Sequence, residues 1–302
     1  MKSDPVTEAT DSSPRAGTGT LWLVSTPIGN LADLSPRAAR TLGEADLLVA
    51  EDTRHTTKLL GACGIRRAPG TDISLNEQNE RARTPGLVAR LLAGESVALV
   101  SDAGTPLMSD PGAVLVAAAA RAGVPVSAVP GCCAAVAALS LSALPADRFC
   151  FEGFLPAKTA ARRRRLEALR HEPRTLVFYE APHRIKETLG DMALLFGEAR
   201  LAAIARELTK KFETVYRDTL AGLAGCATRD EHLARGEIVL IVAGAEDGAG
   251  SADDVETDRL LRILLAELPA SQAAKVAAQI CGRGRRELFE RAVALQARDA
   301  PT

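Results

Sequence analysis

No stretch of this sequence stays apolar for the roughly 20 residues that a membrane-spanning helix needs. The longest apolar region, residues 114–144, is interrupted by Arg121, Pro125 and Pro130, so no membrane association is expected. The opening MKSDPVTEATDSSPRAGTGT carries acids and hydroxyls where a secretory signal would carry an apolar core, and reads as a disordered tail over residues 1–19. The six cysteines (Cys63, Cys132, Cys133, Cys150, Cys226 and Cys281) form no C-x-x-C pair and have no histidine at zinc-ligand spacing. No metal is therefore expected, and the thiols read as the reduced thiols of a cytosolic protein. The adjacent Cys132 and Cys133 read as small, semi-apolar residues in a tight site rather than as a redox pair. Net charge is missing as well: a formal −1 at pH 7 gives no global pull toward nucleic acid, so any such contact must use a local basic patch.

What is present is a soluble globular composition, 47% apolar and 25% charged. Its 302 residues exceed one typical core, so two compact domains and a small appendage are expected. Short β-branched or apolar runs at 21–25, 47–50, 97–101 and 126–129 alternate with helical patterns at 36–42, 54–60, 77–92 and 112–122. That alternation predicts an α/β domain over 20–130, with a mostly parallel sheet and helices on its faces. After an apolar helix at 132–144 a second alternation begins, with strands at 149–154, 175–179, 201–205, 213–217 and 238–242 and helices at 159–169 and 182–195. It predicts a second α/β domain over 131–244. The small, polar AEDGAGS marks a linker over 245–254. Helical patterns at 255–268, 271–281 and 286–295 make a helical extension, 255–302, and the Gly282-Arg283-Gly284 turn gives it helix-turn-helix spacing. This tail reads equally as a nucleic-acid-binding element and as a plain helical cap or dimer contact.

Polar chemistry gathers where strands end. The first strand runs into Thr26-Pro27-Ile28-Gly29-Asn30-Leu31, at the position where open α/β sheets bind ligands. It is not a G-x-G-x-x-G fingerprint, so a pyrophosphate cradle is unsupported, and an ordinary strand–helix turn is the equal alternative. The second strand ends in Glu51-Asp52-Thr53-Arg54-His55-Thr56-Thr57; one such residue suffices to cap a helix, and the surplus favours a substrate-facing role. Asn76-Glu77-Gln78-Asn79-Glu80 offers similar groups, with solvated capping as its rival. The richest segment is SDAGTPLMSDPG, residues 101–112. Glycine permits close approach, proline fixes the loop and each acid accepts hydrogen bonds, a combination that favours ligand binding over a simple turn. Pro130-Gly131-Cys132-Cys133-Ala134 leaves backbone N–H groups free at a helix start, or else serves interdomain packing. In the second domain, residues 179–184 (YEAPHR) and 205–211 (ARELTKK) stand at strand ends that face a cleft. The run Arg162-Arg163-Arg164-Arg165, with Lys158 nearby, is read as a phosphate contact against the alternative of a solvated helix face.

At these residues the chain resembles the tetrapyrrole (corrin/porphyrin) methylase superfamily and, within it, the ribosomal RNA small subunit methyltransferase I family. The motifs TPIGNLADLSPRA, AEDTRHT, ALVSDAGTPLMSDPG, VPGCCAA, DRFCFEGFLPAK, RTLVFYEAPHR, ARELTK and GEIVLIV follow in order over 21–242, and the helical tail is similar to that family's C-terminal extension. The resemblance implies an α/β fold of two domains of the tetrapyrrole methylase type with S-adenosylmethionine in the interdomain cleft. It also implies a cytoplasmic homodimer that acts, without metal, on 16S ribosomal RNA or the small ribosomal subunit. Carried over by motif, the cofactor residues are Pro27, Ile28, Gly29, Asp102, Gly104, Thr105, Gly131, Cys133, Ala134, Tyr179 and Leu208. Arg54, from the substrate-facing cluster, and Arg162 to Arg165, the densest local positive run, are expected to face RNA. The implied reaction is in-line displacement of the sulfonium methyl by a cytidine ribose 2′-oxygen. For removal of the hydroxyl proton the sequence offers Asp52, Glu80, Glu207 and Lys210 and singles out none. Two positions depart from the family pattern: Gln78 stands where a histidine commonly precedes Asn-Glu, which weakens a histidine-base mechanism, and Cys132 replaces a common proline. The alternatives are methylation of a tetrapyrrole carbon and a non-catalytic RNA-binding or assembly role. EDTRHT and the tail argue against the first, and the intact SDAGTPLMSDPG loop against the second.

Overall fold

The computed structural model describes residues 17–68, 70–245 and 252–299. Most of the expected N-terminal tail and the 246–251 part of the expected linker lie outside the described residues. The first sheet comprises β1 (Leu21–Val24), β2 (Leu47–Ala50), β3 (Asp72–Ser74), β4 (Val97–Val100) and β5 (Val126–Val129). All pairings are parallel, in the order β3-β2-β4-β1-β5. The helices are α1 (Pro36–Glu44), α2 (Thr53–Ala62), α3 (Glu80–Leu92) and α4 (Ala113–Arg121). Period-two geometry sorts the strand side chains: Leu47, Val49, Val97 and Leu99 join one core, whereas Leu48, Ala50, Ala98 and Val100 join the core on the other face. Burial on both faces is why β2 and β4 are continuously apolar runs.

The strand order also locates a binding crevice. From β1 the chain crosses to β2 on one side, and from β4 it crosses to β5 on the other, so the connections diverge between two neighbouring strands. Ligands bind outside the carboxyl ends of strands at such a switch point. The loops at that place are residues 25–30 and 101–112.

From β5, α5 (Ala134–Leu141) carries the chain onto a second sheet formed by β6 (Phe149–Phe154), β7 (Thr175–Glu180), β8 (Leu201–Arg206), β9 (Thr214–Thr219) and β10 (Ile238–Val242). Its order is β6-β7-β10-β8-β9; β6 and β7 are parallel and the remaining pairs antiparallel. One face packs on α6 (Thr159–Leu169), α7 (Ile185–Phe196) and α8 (Leu220–Arg229) through Leu166, Leu176, Phe178, Leu189, Ile204 and Leu223. The opposite face, with Val177, Ala205 and Val239, packs on α5 and on Ile28 from the first unit. A separate small core of Leu261, Ala274, Ala277, Leu288, Ala292 and Leu295 joins α9 (Ala252–Leu265), α10 (Ala270–Cys281) and α11 (Arg285–Asp299). Gly282 ends α10 in the left-handed conformation (φ +69°) that glycine adopts without a Cβ clash.

Two elements differ from expectation. β3 is a three-residue, partly polar edge strand paired only with β2, too short to show alternation. α8 contains Gly222 and Gly225, which depress intrinsic helix propensity; packing of Leu220 and Leu223 into the core overrides it.

Candidate functional site

Three loops at the carboxyl edge of the first sheet are laced into one surface. Thr26 and Gly104 exchange backbone hydrogen bonds of 2.9 and 3.1 Å. Ser25 Oγ lies 3.1 Å from Thr105 Oγ1, which donates to the Cys132 carbonyl at 2.8 Å. Gly104 has φ +85°, and a Cβ there would stand 3.2 Å from Ile28 Cγ2. The tight junction therefore requires glycine. Across the crevice, a Cβ on Gly29 would lie 2.4 Å from Lys210 Cγ, so this turn seats directly on the second unit.

Between the units lies a cleft of about 470 Å³. Its wall includes seven of the eleven residues expected at the cofactor: Ile28, Asp102, Gly104, Thr105, Ala134, Tyr179 and Leu208. The other four stand outside the lining. Gly29 packs on Lys210, Gly131 approaches Ser25, Cys133 precedes α5 beside Tyr179, and Pro27 belongs to the same turn as Ile28.

The lining also contains Glu51 and Asp110, which the sequence reading did not single out as proton acceptors. Burial, reinforced by the negative charge of Glu51 and opposed by a hydrogen bond with Ser101, pushes the Asp110 carboxyl up to about 6. Burial and the charge of Asp102 likewise raise Glu51. Tyr179 is pushed up to about 12, chiefly by burial, and so remains a neutral phenol at physiological pH. Asp102 is held from behind: its Oδ1 accepts the Asp52 backbone N–H at 3.1 Å and its Oδ2 lies 3.2 Å from His55 Nδ1.

The four expected proton acceptors are placed for other work. Glu80 is buried, and its Oε1 accepts the backbone N–H groups of Gly112, Val114 and Leu115 at 3.1, 2.8 and 3.2 Å. Gly112 has no side chain to cap α4, and Glu80 of α3 supplies the carboxylate instead. Asp52 caps α2 and pairs with Arg54 at 2.6 Å, a hydrogen bond that holds its carboxyl well below the usual range. Neither Asp52 nor Arg54 lines the cleft. Lys210 Nζ lies 2.9 Å from Glu207 and 3.0 Å from Glu237. Burial works against its charge, but the two carboxylates outweigh it and raise its pKa, the wrong direction for a lysine base. The same contact lowers Glu207 despite its burial, which weakens it as a proton acceptor.

The role of Glu80 has a measurable consequence. Glu80→Ala is expected to cost about 1.5–3 kcal/mol in urea unfolding, as for hydrogen bonds to a charged acceptor. Glu80→Gln, whose amide oxygen still accepts, is expected to cost less, and equal losses for the two would exclude the capping role.

The arginine run requires a correction. Arg162 is 2% exposed and donates from Nε to Asp191 at 2.7 Å, so it is part of the interior and not of an RNA surface. Arg163 is half-exposed but bound to the other oxygen of Asp191, and Arg165 pairs with Glu152. Arg164 is exposed and forms no ion pair among the described residues. Helical periodicity carried the signal, since Arg162, Leu166 and Leu169 share one face. Among the described residues no helix is long and apolar enough to cross a membrane, and no three His, Cys, Asp or Glu side chains are grouped to hold a metal ion.

Comparison with known proteins places this geometry in context. Residues 20–224 match the family model for Tetrapyrrole (Corrin/Porphyrin) Methylases, and residues 251–296 match that for the RsmI C-terminal HTH domain. The chain is 54% identical over 271 residues to a protein of Xylella fastidiosa (strain Temecula1) named ribosomal RNA small subunit methyltransferase I, covering 90% of this chain and 98% of that one. It is 50% identical over 279 residues to a Pseudomonas aeruginosa protein of the same name, with coverages of 92% and 98%. Among solved structures, uroporphyrin-III C-methyl transferase from Thermus thermophilus, complexed with S-adenyl homocysteine, shares the fold with a TM-score of 0.51 and 19% identity, over 74% of this chain and 97% of that one.

Proposed function

The chain belongs to the ribosomal RNA small subunit methyltransferase I family, within the tetrapyrrole methylases, and on that premise we propose that it methylates a cytidine ribose 2′-oxygen of 16S ribosomal RNA, using S-adenosylmethionine. The observation that carries the reading is the cleft where the three laced loops meet the second sheet. Its volume, about 470 Å³, lies within the range of small-molecule sites. The buried Thr26 Oγ1 at the root of the first loop has no hydrogen-bond partner among the described residues, as expected of a group left for a ligand or water. Relatives named for ribosomal RNA match this chain at 50% identity and above, whereas the tetrapyrrole enzyme above shares only its fold.

S-adenosylmethionine, when bound, supplies an electrophilic methyl group on a positively charged sulfonium. Asp102, Glu51 and Asp110 give the cleft a negative field that suits this charge. Ile28, Ala134 and Leu208 contribute apolar surface, Gly104 and Thr105 contribute backbone and hydroxyl groups, and Tyr179 contributes a neutral phenol. Asp110 accepts the ribose hydroxyl proton: it lines the cleft, and its proton affinity lies close to neutrality, where a general base works best. Arg163, Arg164 and Arg165, with Arg54, are exposed and meet RNA. As its resemblance to the family implies, the enzyme acts in the cytoplasm and as a homodimer.

Calorimetry on the purified chain is expected to detect S-adenosylmethionine binding without added metal. Asp102→Ala is expected to weaken it by about tenfold or more, the loss of one charge-assisted hydrogen bond, and Arg54→Ala to leave it unchanged. Mass mapping of ribosomal RNA with and without the gene is expected to show one methylated cytidine ribose disappear. No heat at millimolar cofactor, or identical maps, would refute the reading.

A further inference from the structure

We propose that Phe154 is the platform on which the base of the methylated nucleotide stacks, an inference that rests on the RNA reading above. β6 begins in regular register with β7, Phe149 opposite Thr175 and Phe151 opposite Val177. The register then slips between Phe151 and Gly153, so that Gly153 faces Phe178 and Phe154 faces Tyr179. Strict alternation would put Phe151 and Phe154 on opposite faces; one extra residue puts them on the same face. Both rings accordingly meet Tyr179 edge-on, with centroids 4.9 and 5.6 Å away and interplanar angles of 71° and 61°.

An edge contact covers at most one face of the Phe154 ring. Phe154 is 55% exposed and lies in the wall of the same cleft as Asp110. Phe212 is more exposed, at 63%, but it stands outside the cleft, with Lys211 Nζ 5.6 Å from its centroid. The end of β6 is also brought against the loop that carries Asp110, since a Cβ on Gly153 (φ +63°) would lie 3.0 Å from Ser109 Oγ.

The platform is held from behind. Arg184 Nη2 donates to the carbonyls of Leu155 and Pro156 at 2.7 and 3.2 Å, which fixes the chain just after Phe154. Arg184 Nε forms an ion pair at 3.3 Å with Glu180, whose buried carboxylate accepts a hydrogen bond from Thr188 Oγ1 at 2.6 Å. Bases of RNA splayed from their stack are recognised on preorganised aromatic faces, and such stacking tolerates any aromatic partner. Lys158 and Arg164, which follow Phe154 in the chain at the start of α6 and within it, are exposed cations.

The test measures methyl transfer to unmethylated small subunits or their RNA, beside calorimetric binding of S-adenosylmethionine. Phe154→Ala is expected to lower kcat/KM for RNA by about ten- to a hundredfold, the loss associated with one base–aromatic stack, with cofactor affinity within about twofold of the parent. Phe154→Tyr and Phe154→Trp are expected to retain activity, whereas Phe154→Leu, which preserves apolar bulk, behaves like Ala. Full activity in Phe154→Leu would reduce the ring to an apolar plug. An equal loss of cofactor affinity would assign it to the cofactor's adenine, and either result overturns the platform. Failure of the parent chain itself to methylate RNA refutes the functional reading and the platform with it, an outcome separate from any effect of the variants.

Discussion

Asp110→Asn is expected to lower kcat by about 10²- to 10⁴-fold, the contribution of a positioned general base, while changing S-adenosylmethionine affinity by only a few fold. The amide preserves the size of the side chain and removes its capacity to take a proton. Below about pH 6 the Asp110 carboxyl carries its own proton, and above that pH it is ionised. The kcat/KM of the parent, which follows ionisation of the free enzyme, should therefore fall about tenfold per pH unit below 6 and level off above it. Asp110→Asn should lose that limb. Burial is the main cause of the raised proton affinity and Glu51 the next, so Glu51→Gln should move the inflection to lower pH without abolishing it. If Asp110→Asn impairs cofactor binding and leaves kcat intact, the carboxylate holds cofactor charge and proton removal must be assigned elsewhere.

The reason Asp110 was not legible in the sequence is physical. SDAGTPLMSDPG stands out as a ligand loop from its glycines, prolines and acids alone. Which of its acids has the raised proton affinity depends first on burial in the cleft and next on Glu51, which follows a different strand and reaches the same cleft because β2 and β4 are neighbours. The central strands were visible because burial on both faces demands continuous apolar runs, as in LLVA and VALV. Their order was not, since parallel pairing leaves no mark on the strands themselves. Phe154 was hidden by the extra residue in β6: the strand reads as regular until its register against β7 is known. Glu80 was misread for a related reason. An acid in the first turn of a helical pattern looks like a local cap or a free base, but its partners lie at the start of α4, across the gap between two helices.

The arginine run leads to the second large effect, on stability instead of activity. Asp191→Ala is expected to destabilise the fold by about 3–5 kcal/mol, the penalty for leaving one member of a buried ion pair uncompensated. The Asp191 side chain is 5% exposed, and its carboxylate accepts hydrogen bonds from Arg162 Nε and Arg163 Nε, each at 2.7 Å, on separate oxygens. Without it the Arg162 side chain, 2% exposed, keeps among the described residues only a 3.4 Å ion pair with Glu187, a side chain 69% exposed. Solvent screening leaves that contact worth little. Arg163 reaches water and loses far less. The cost therefore comes from a stranded charge and not from the attraction itself, which predicts that removing both charges is milder than removing one. Arg162→Met combined with Asp191→Leu is expected to recover most of the loss in urea unfolding, because apolar replacements of a buried pair are often neutral. A double variant no more stable than Asp191→Ala would show that the pair contributes net binding energy. Arg162→Met in the intact enzyme should leave the KM for RNA and its salt dependence unchanged, while Arg164→Ala should raise the first and flatten the second, as expected when one phosphate contact is lost.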